Sequence, residues 1–512
     1  MTSPSRDPEA PPGGRDGTGP GEQAVVSGTR WVALGQFSTQ VTRLAVSIVL
    51  ARLLEPADFG LLAAAMVVVM FLDLFKDLGT GMAVIQRPVV TDGLLSAVFV
   101  VNLAIGVVLA GALAVASPLF AALLDEPRSV DVLRAMAPAV LLSSCGHVHQ
   151  ALLRRQMAFA RIARISVAAT IVGGGLSIVL AAAGGGVWAL VAGTVAVSAI
   201  STVLTWWSSG WRPGRDPDWR AFREVAGFGV NVSAADFLEF LVFHADKVVV
   251  ARYVGERGLG FYSFAQRLLM YPVMSFTNVV TEVLFPALAR HQDDDAKVVE
   301  AYLRASAAVA LVTVPAMVGA AIIARPLVLT TLGPKWEPVV PLVWILAPVG
   351  ALESVRLTCR TLFVVKGRAD LLLRWSLVST GAVMAGYLVG VQWGLTGIAG
   401  AYAAVVAALT YPEFALALRL VGLRVRSLVG ALRTCLLATA VMAAAVAVVR
   451  VATERAGAAP WLVVAATVGT GAAVYGGTIL KVRPAVLDDL LMLLSPHRPP
   501  GPPADDADLK GR

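Results

Sequence analysis

The sequence contains few charged residues for its length. Aspartate, glutamate, lysine and arginine make up 15% of its 512 residues, whereas they make up about a quarter of a typical soluble domain. Hydrophobic residues make up 57% of the chain, and the mean hydropathy is +0.74. Because a bilayer tolerates an apolar exterior, this composition excludes an ordinary soluble protein and predicts an integral membrane protein.

Cysteine is also scarce, and its positions exclude two kinds of site. Cys145, Cys359 and Cys435 each lie inside an apolar run with no ligand spacing around them, which argues against a disulfide framework or a zinc site. His147 and His149 are two residues apart on a predicted helix, so they point to different faces. We therefore predict no metal and no cofactor, apart from a coupling proton or sodium ion considered below.

Long connections are missing as well. No gap between apolar runs exceeds roughly twenty residues, whereas a catalytic domain needs about 100 residues or more. The sequence therefore predicts no catalytic residues and no enzyme. A membrane-embedded glycosyl transferase or polymerase is a less favoured alternative, because it would need a larger extracytoplasmic loop.

Apolar windows of about 20 residues, the length of a spanning helix, occur fourteen times. We place the spans near 30–52, 58–79, 95–118, 130–152, 163–184, 187–208, 223–250, 258–283, 302–324, 338–364, 371–392, 396–418, 428–450 and 459–481. The predicted fold class is an all-α integral membrane protein of about fourteen transmembrane helices.

The net charge of +8 reflects basic residues in short gaps between spans, not a nucleic-acid-binding patch. Gaps after even-numbered spans hold twenty Lys and Arg residues, and gaps after odd-numbered spans hold nine. The positive-inside rule then predicts a multi-pass protein of the plasma membrane with both termini in the cytoplasm.

Two short stretches of the chain read alike. "ARLLEPADFG" (51–60) follows the first span, and "ARYVGERGLG" (251–260) follows the seventh. The repeat unit is therefore six helices, and two such units enter the membrane in the same direction, as parallel repeats do. The predicted organisation is a disordered cytoplasmic tail (1–27), a six-helix lobe (28–208), a linker (209–222), a second six-helix lobe (223–418), an additional helix pair (419–483), and an amphipathic segment with a disordered tail (484–512).

Several polar and charged residues lie inside predicted spans, where they are costly unless they face water or a partner. Arginine forks suit phosphate oxygens, and carboxylates bind protons or sodium ions. The predicted substrate-binding residues of a central cleft are Arg43, Arg267, Arg356, Arg360, Gln36 and Gln40. The predicted ion-coupling residues are Asp73, Asp236, Glu239, Asp246 and Glu353.

Structural alternatives stay open for several of the charged groups. Lys76 and Asp77, in the same span as Asp73, also suit a position at the membrane surface, and Asp246 and Lys247 also suit a position at the outer interface, paired with Arg252. Glu353 and Arg356 are three residues apart, so they also suit an ion pair within one helical turn.

Five segments in order resemble the polysaccharide-transporter branch of the multidrug/oligosaccharidyl-lipid/polysaccharide exporter superfamily. They are "ARLLEPADFGLLAAAMVVVMFLDLFKDLGTGMAVIQRP", "QALLRRQMAFARIAR", "FGVNVSAADFLEFLVFHADKVVVARYVGERGLGFYSFAQRLLMYPV", "LFPALAR" and "LGPKWEPVVPLVWILAP". The resemblance implies two lobes in a V shape and export of a polyprenyl-pyrophosphate-linked oligosaccharide, driven by an ion gradient. His244 departs from the uncharged polar residue expected at its position.

The resemblance and the charges together predict a flippase for repeat units of O-antigen or exopolysaccharide, working by alternating access. Its implied partners are the lipid-linked glycan, the bilayer, a polysaccharide polymerase and glycosyltransferases, and no nucleic acid. The alternative cargoes for the same fold are drugs and the peptidoglycan lipid precursor. The abundance of arginine in the predicted cleft argues against cationic drugs.

Overall fold

In the computed structural model, the backbone is described for residues 20–76, 80–81, 84, 87, 90–289, 294–483 and 487. Side chains within these ranges are described except at positions 20–34, 36, 225–239, 241–243, 271–276, 278–279, 281–289 and 369. Every regular element in this part of the chain is a helix, which confirms the predicted all-α class.

The described α-helices are numbered here in chain order. They are α1 (Pro20–Leu53), α2 (Pro56–Asp73), α3 (Asp92–Leu124), α4 (Ser129–Arg155), α5 (Phe159–Ala182), α6 (Val187–Ser209), α7 (Trp219–Ala289), α8 (Asp295–Ile322), α9 (Ala324–Thr331), α10 (Val339–Val365), α11 (Ala369–Gly390), α12 (Gly394–Arg419), α13 (Val425–Arg455) and α14 (Pro460–Val482). Two 3-10 turns, Pro334–Trp336 and Val391–Trp393, precede α10 and α12.

Helix α7 contains the seventh and eighth predicted spans in one kinked element. The kink is at Gly255, whose φ of 85° and ψ of 178° are non-helical. A positive φ costs glycine little because it has no Cβ, so the chain reverses there without a loop. We call residues 219–254 the first arm and residues 256–289 the second arm.

Nine stretches of the described residues are long and apolar enough to cross a membrane. One of the nine, Asp370–Arg419, comprises both α11 and α12. The other long helices are α1, α4 and α7, which carry more polar residues. Counting the two arms of α7 separately and setting aside the eight-residue α9 gives fourteen long helical segments in the described part of the chain, as predicted.

Helix α1 begins earlier than the sequence suggests. It starts at Pro20, seven residues before the predicted end of the N-terminal tail. Proline suits the first turn of a helix, and the chain contains no further proline until Pro56, so nothing interrupts the helix. Residues 1–19 and nearly all of the predicted amphipathic segment and tail (484–512) lie outside the described residues.

The two six-helix lobes pack alike. In the first lobe α3 packs on α4, α5 on α6, α4 on α6, and α2 on α4; the same pairings six spans later join α8 to α10, α11 to α12, α10 to α12, and the second arm of α7 to α10. Pro138 and Pro348 are each the tenth residue of equivalent helices, α4 and α10. The fold is therefore a parallel pseudo-repeat.

The connections that follow odd-numbered spans meet at one end of the molecule. Arg52, after the first span, donates to the carbonyl oxygen of Thr331, after the ninth, at 2.9 Å. Arg128, after the third span, pairs with Glu256, after the seventh, at 2.7 Å. We call this the predicted outer end. The additional pair α13–α14 packs on α8 and α9 of the second lobe.

Candidate functional site

Helix α1 carries a polar stripe along the face beside its packing face. Gly35 and Val46 contact Ala163 and Gly174 of α5, and they mark the packing face. At 100° per residue, Arg43 and Ser47 lie on a neighbouring face, and Gln40 and Gln36 lie on the same stripe, about one and two turns before Arg43. Gln40 is half-buried, whereas the side chain of Gln36 lies outside the described residues.

The stripe faces the seam between the lobes. Arg267, on the second arm of α7, donates from Nη1 to Oγ of Ser47 at 3.0 Å, and this contact joins the first lobe to the second. Arg43 lies four residues from Ser47, about 6 Å along the helix away from the predicted outer end. Its side chain is exposed and lies on the same stripe as Ser47.

The seam is closed above this level, at the predicted outer end. Trp336 donates its indole N–H to the carbonyl oxygen of Ala51 at 2.7 Å, and Lys335 donates to the carbonyl oxygen of Arg52 at 3.2 Å. Both contacts join the second lobe to the end of α1. The two arginines Arg43 and Arg267 therefore lie beneath a closed end.

Helix α2 and the first arm of α7 line another part of the seam. His244 Nε2 lies 3.1 Å from Sδ of Met70, and the His244 ring stacks on Phe240 with centroids 4.6 Å apart. Phe71 contacts Phe240 at 5.8 Å. These contacts account for His244, the residue that departed from the expected pattern: its ring packs against aromatic and sulfur groups of both lobes.

Asp73 lies in a small network of the first lobe. Lys76 donates to Oδ1 of Asp73 at 3.1 Å and to Oγ of Ser143 at 3.0 Å, and the lysine side chain is 10% exposed. The side chains of Asp236 and Glu239, two further predicted coupling residues, lie outside the described residues. The predicted roles of these three residues stay predictions.

The second lobe contains a buried ionic cluster between α10 and α12. Arg356 donates to both carboxylate oxygens of Glu353, at 2.6 and 3.2 Å, and to Oε2 of Glu413 at 2.6 Å. The Glu353 and Glu413 side chains are 9% and 6% exposed. Tyr402 donates to Glu353 at 3.3 Å. One guanidinium is thus shared by two carboxylates, which leaves the cluster one negative charge in excess when all three groups are ionised.

Asp246 lies in a second buried cluster of the same lobe. Gln266 donates to its Oδ2 at 2.6 Å, and Lys247 is 3.4 Å from its Oδ1. Arg252, the partner considered from the sequence, pairs instead with Asp125 of the first lobe at 2.7 Å. That expected pair is therefore wrong, because the reversal at Gly255 brings Arg252 against the connection after α3.

Tyrosines lie between these two clusters. Tyr387 and Tyr402 stack with centroids 5.7 Å apart, and the fully buried Tyr262 lies within electrostatic reach of both and of Asp246. The structure therefore brings the predicted coupling residues Asp246 and Glu353 into one polar region of the second lobe. Arg360, one turn beyond Arg356, is exposed.

Sequence reasoning missed Glu413, Tyr402 and Gln266. Glu413 is a lone acid within the apolar run of α12, directly after Pro412, and that isolation was a usable signal, because an intramembrane carboxylate needs a partner. Tyr402 carries no signal of this kind, whereas Gln266, like Gln36 and Gln40, is a polar residue inside a predicted span.

At the predicted outer end, the Glu256 carboxylate is partly buried beside Arg128. Burial raises the pKa of Glu256, the nearby Glu126 carboxylate raises it further, and the Arg128 guanidinium opposes the rise. Among the described residues, no group of three or more His, Cys, Asp or Glu side chains is placed to hold a metal ion.

Comparison with known proteins identifies the family of this chain. A family model described as "Polysaccharide biosynthesis protein" matches residues 49–341, which is more than half of the chain. The teichuronic acid biosynthesis protein TuaB of Bacillus subtilis (strain 168) is 25% identical over 72% of this chain and 78% of its own length. The lipopolysaccharide biosynthesis protein WzxC of Escherichia coli (strain K12) is 25% identical over 72% and 76%. The succinoglycan biosynthesis transport protein ExoT of Rhizobium meliloti (strain 1021) is 26% identical over 72% and 75%.

Two solved structures share the fold at low sequence identity. The lipid II flippase MurJ in an inward closed conformation superposes with a TM-score of 0.69 at 12% identity, covering 90% of this chain and 99% of its own. An inward-facing multidrug resistance transporter of the MATE family superposes with a TM-score of 0.59 at 17% identity, covering 76% and 98%. These likenesses confirm the multi-pass, all-α membrane fold.

Proposed function

The chain belongs to the polysaccharide biosynthesis protein family, and on that basis we propose that it moves lipid-linked oligosaccharide repeat units across the membrane. The proposal draws on the named roles of three relatives, in teichuronic acid, lipopolysaccharide and succinoglycan biosynthesis. The observation that carries it is the placement of Arg43 and Arg267 beside the seam, beneath a closed outer end.

Two arginines at this place suit a pyrophosphate. A guanidinium presents a planar fork of donors that matches phosphate oxygens. Arg43 is exposed on the stripe of α1 that carries Ser47, and Arg267 donates to that serine from Nη1, which uses one of the five N–H donors of its guanidinium. The glycan then occupies the hydrated seam while the polyprenyl tail stays in the lipid between the lobes.

The mechanism we propose is alternating access driven by an ion gradient, so the protein is a secondary transporter and not an enzyme. The cluster of Glu353, Arg356 and Glu413 supports this step, since its excess negative charge favours binding of one monovalent cation in the low-dielectric interior. Moving one charge through 100 mV supplies about 2.3 kcal/mol, which is comparable to the few kcal/mol that separate two conformations.

The proposed orientation places both termini in the cytoplasm, with the connections after odd-numbered spans outside. Single-cysteine variants test it on intact cells with a membrane-impermeant maleimide. Asp131→Cys, at an exposed site of the predicted outer end, should be labelled, whereas Ser427→Cys, exposed at the other end, should not. The reverse pattern would overturn the orientation.

Transport itself is tested in proteoliposomes loaded with a fluorescent polyprenyl-pyrophosphate oligosaccharide, by its accessibility to an impermeant reagent. The unaltered protein should move the substrate, and Arg43→Ala and Arg267→Ala should each slow it at least about tenfold, the cost of one lost charged hydrogen bond. The matched control is Arg304→Ala, which removes an exposed arginine paired with Glu300 in α8.

Three outcomes separate the alternatives. Movement of lipid II in place of the oligosaccharide would change the cargo to the peptidoglycan precursor. Movement of neither would overturn the proposal. Equal rates in both arginine variants and the control would remove those arginines from the mechanism.

A Glu413→Gln variant whose transport no longer responds to an imposed proton or sodium gradient would support the coupling step, and an unchanged response would exclude Glu413 from it.

A further inference from the structure

The connection between α9 and α10 inserts a tryptophan between the two lobes. Trp336 is fully buried. Its ring meets Phe59 of α2 edge-to-face at 5.3 Å, and it meets Phe264 and Phe261 of the second arm of α7 at 4.7 and 6.0 Å. A side chain from the second lobe thus fills a pocket whose walls belong to both lobes.

The same connection bonds to the end of α1. The last four carbonyl oxygens of a helix have no partner within it, and α1 ends at Leu53. The indole N–H of Trp336 donates a hydrogen bond to the carbonyl oxygen of Ala51 at 2.7 Å. Lys335 donates hydrogen bonds to the carbonyl oxygens of Arg52 and Leu54, and its Nζ lies 3.5 Å from the Glu55 carboxylate.

The capping is reciprocal. Arg52, in the last turn of α1, donates to the carbonyl oxygens of Thr330 and Thr331, and Thr331 ends α9. Cations are favourable near helix C-termini because the helix dipole is negative there. Each lobe therefore supplies the cation that caps a helix end of the other lobe, and the partners lie far apart in the chain.

We propose that residues 332–337 form an outer latch, keyed by Trp336, which must withdraw before the outer end opens. The inference rests on the proposed alternating-access function, because it assigns the step that precedes outward opening. When the outer end opens, water replaces the hydrogen bonds of the latch, so each of these polar contacts contributes only modestly to closure. Burial of Trp336 is the component that water cannot replace, so this side chain sets the bias toward the closed end.

Spin labels at the predicted outer end report the latch without any cargo. Asp131→Cys in α4 and Trp393→Cys before α12 are exposed positions in different lobes. The native cysteines Cys145, Cys359 and Cys435 are replaced by alanine. Double electron–electron resonance in nanodiscs then gives the distance distribution between the lobes.

Trp336→Ala should shift the distribution to longer distances, or add a longer-distance population, relative to the same labelled protein without it. Trp336→Phe keeps an apolar ring and loses the hydrogen bond to Ala51. Its distance distribution should therefore lie between those of the unaltered protein and Trp336→Ala. The matched control is Trp344→Ala, which removes a half-exposed tryptophan of α10 outside the latch. A distribution unchanged in folded Trp336→Ala, or changed equally by the control, would overturn the proposal.

A second variant decides the matter if Trp336→Ala does not give a monodisperse protein. Lys335→Met removes the cation from the end of α1 and leaves the tryptophan buried, so it should give a smaller shift in the same direction, and no shift would overturn the latch. These distances are measured without substrate, so they test the latch separately from the cargo. If Trp336→Ala opens the outer end but the unaltered protein moves no glycan, the proposed cargo is wrong and the latch is still supported.

Discussion

Gly60 and Gly260 occupy equivalent places in the two repeats and lie at the crossing of α2 with the second arm of α7. A Cβ built on Gly60 would lie 1.6 Å from the carbonyl oxygen of Glu256, and one built on Gly260 would lie 1.9 Å from that of Pro56. The backbones therefore touch through both glycines, with partners related by the repeat. This crossing is why the chain places glycine at the end of both "ARLLEPADFG" and "ARYVGERGLG".

Alanine at either glycine should force the two helices apart. We expect Gly60→Ala and Gly260→Ala each to destabilise the closed protein by about 1–3 kcal/mol, the usual cost of overpacking, seen as a lower unfolding temperature in detergent. Gly400→Ala in α12, where an added Cβ meets nothing within 4 Å, is the control and should not lower that temperature. Equal melting of all three variants would contradict the close crossing.

The shared guanidinium of Arg356 gives a second prediction. Arg356→Met leaves two buried carboxylates without their partner, and removal of one member of a buried ionic group costs about 3–5 kcal/mol. Glu413→Gln removes the excess charge and keeps a hydrogen-bond acceptor, so its effect on unfolding temperature should be much smaller. Arg304→Met, at an exposed pair, controls for loss of an arginine. An Arg356→Met variant as stable as the unaltered protein would show that the Arg356 charge does not maintain the cluster.

The third prediction concerns pH at the outer end. In the closed state, burial and the Glu126 carboxylate hold the pKa of Glu256 above its ordinary value; in the open state, solvated Glu256 regains that value. The closed state therefore binds the proton more tightly, so a fall in pH through the interval between the two values favours closure, and a rise favours opening.

This dependence is measured with the spin-labelled pair at positions 131 and 393 across a pH series. Glu256→Gln should flatten the pH dependence, whereas Glu300→Gln, an exposed acid of α8 at the other end of the molecule, should keep it. A trend toward opening at low pH would reverse the assigned sign, and would mean that the Arg128 pair outweighs burial.

The fourth prediction concerns His149, which is fully buried in the first lobe. Its ring lies 4.3 Å from that of Trp206, 5.2 Å from Trp211 and 6.1 Å from Phe99, and neither ring nitrogen has a hydrogen-bond partner among the described residues. An unpartnered buried polar group costs about 1–3 kcal/mol. His149→Phe should therefore raise the unfolding temperature, and a fall would mean that the imidazole bonds to water. His147→Phe, on another face of α4, is the control.

The order and number of spans could be predicted because each needs about 20 apolar residues, a property that composition displays directly. Their ends could not be placed as well. Helix α3 runs from Asp92 to Leu124, beyond the predicted 95–118, since a helix continues past the hydrocarbon region until a cap or a breaker ends it. Helix α9 was missed because its eight residues, Ala324–Thr331, are too few to show a period.

The candidate site was predictable where charge marks it. Arg43, Arg267 and Glu353 stand out because a charge in an apolar run is costly. Trp336 carries no comparable signal, since tryptophan in a connection is as compatible with the membrane interface as with a buried contact between lobes. Its partner Ala51 is 285 residues away, and it offers a main-chain oxygen that no sequence pattern reveals.

The use of main-chain oxygens at the end of α1 makes that segment tolerant of one kind of change and intolerant of another. Point substitutions at Ala51 or Arg52 leave the carbonyls that Trp336 and Lys335 reach in place. A single inserted residue between Ser47 and Leu54 would turn every later carbonyl by about 100° and direct them away from both donors. Natural variation should therefore keep the length of this turn fixed, whereas an exposed side chain in it, such as Leu53, should exchange.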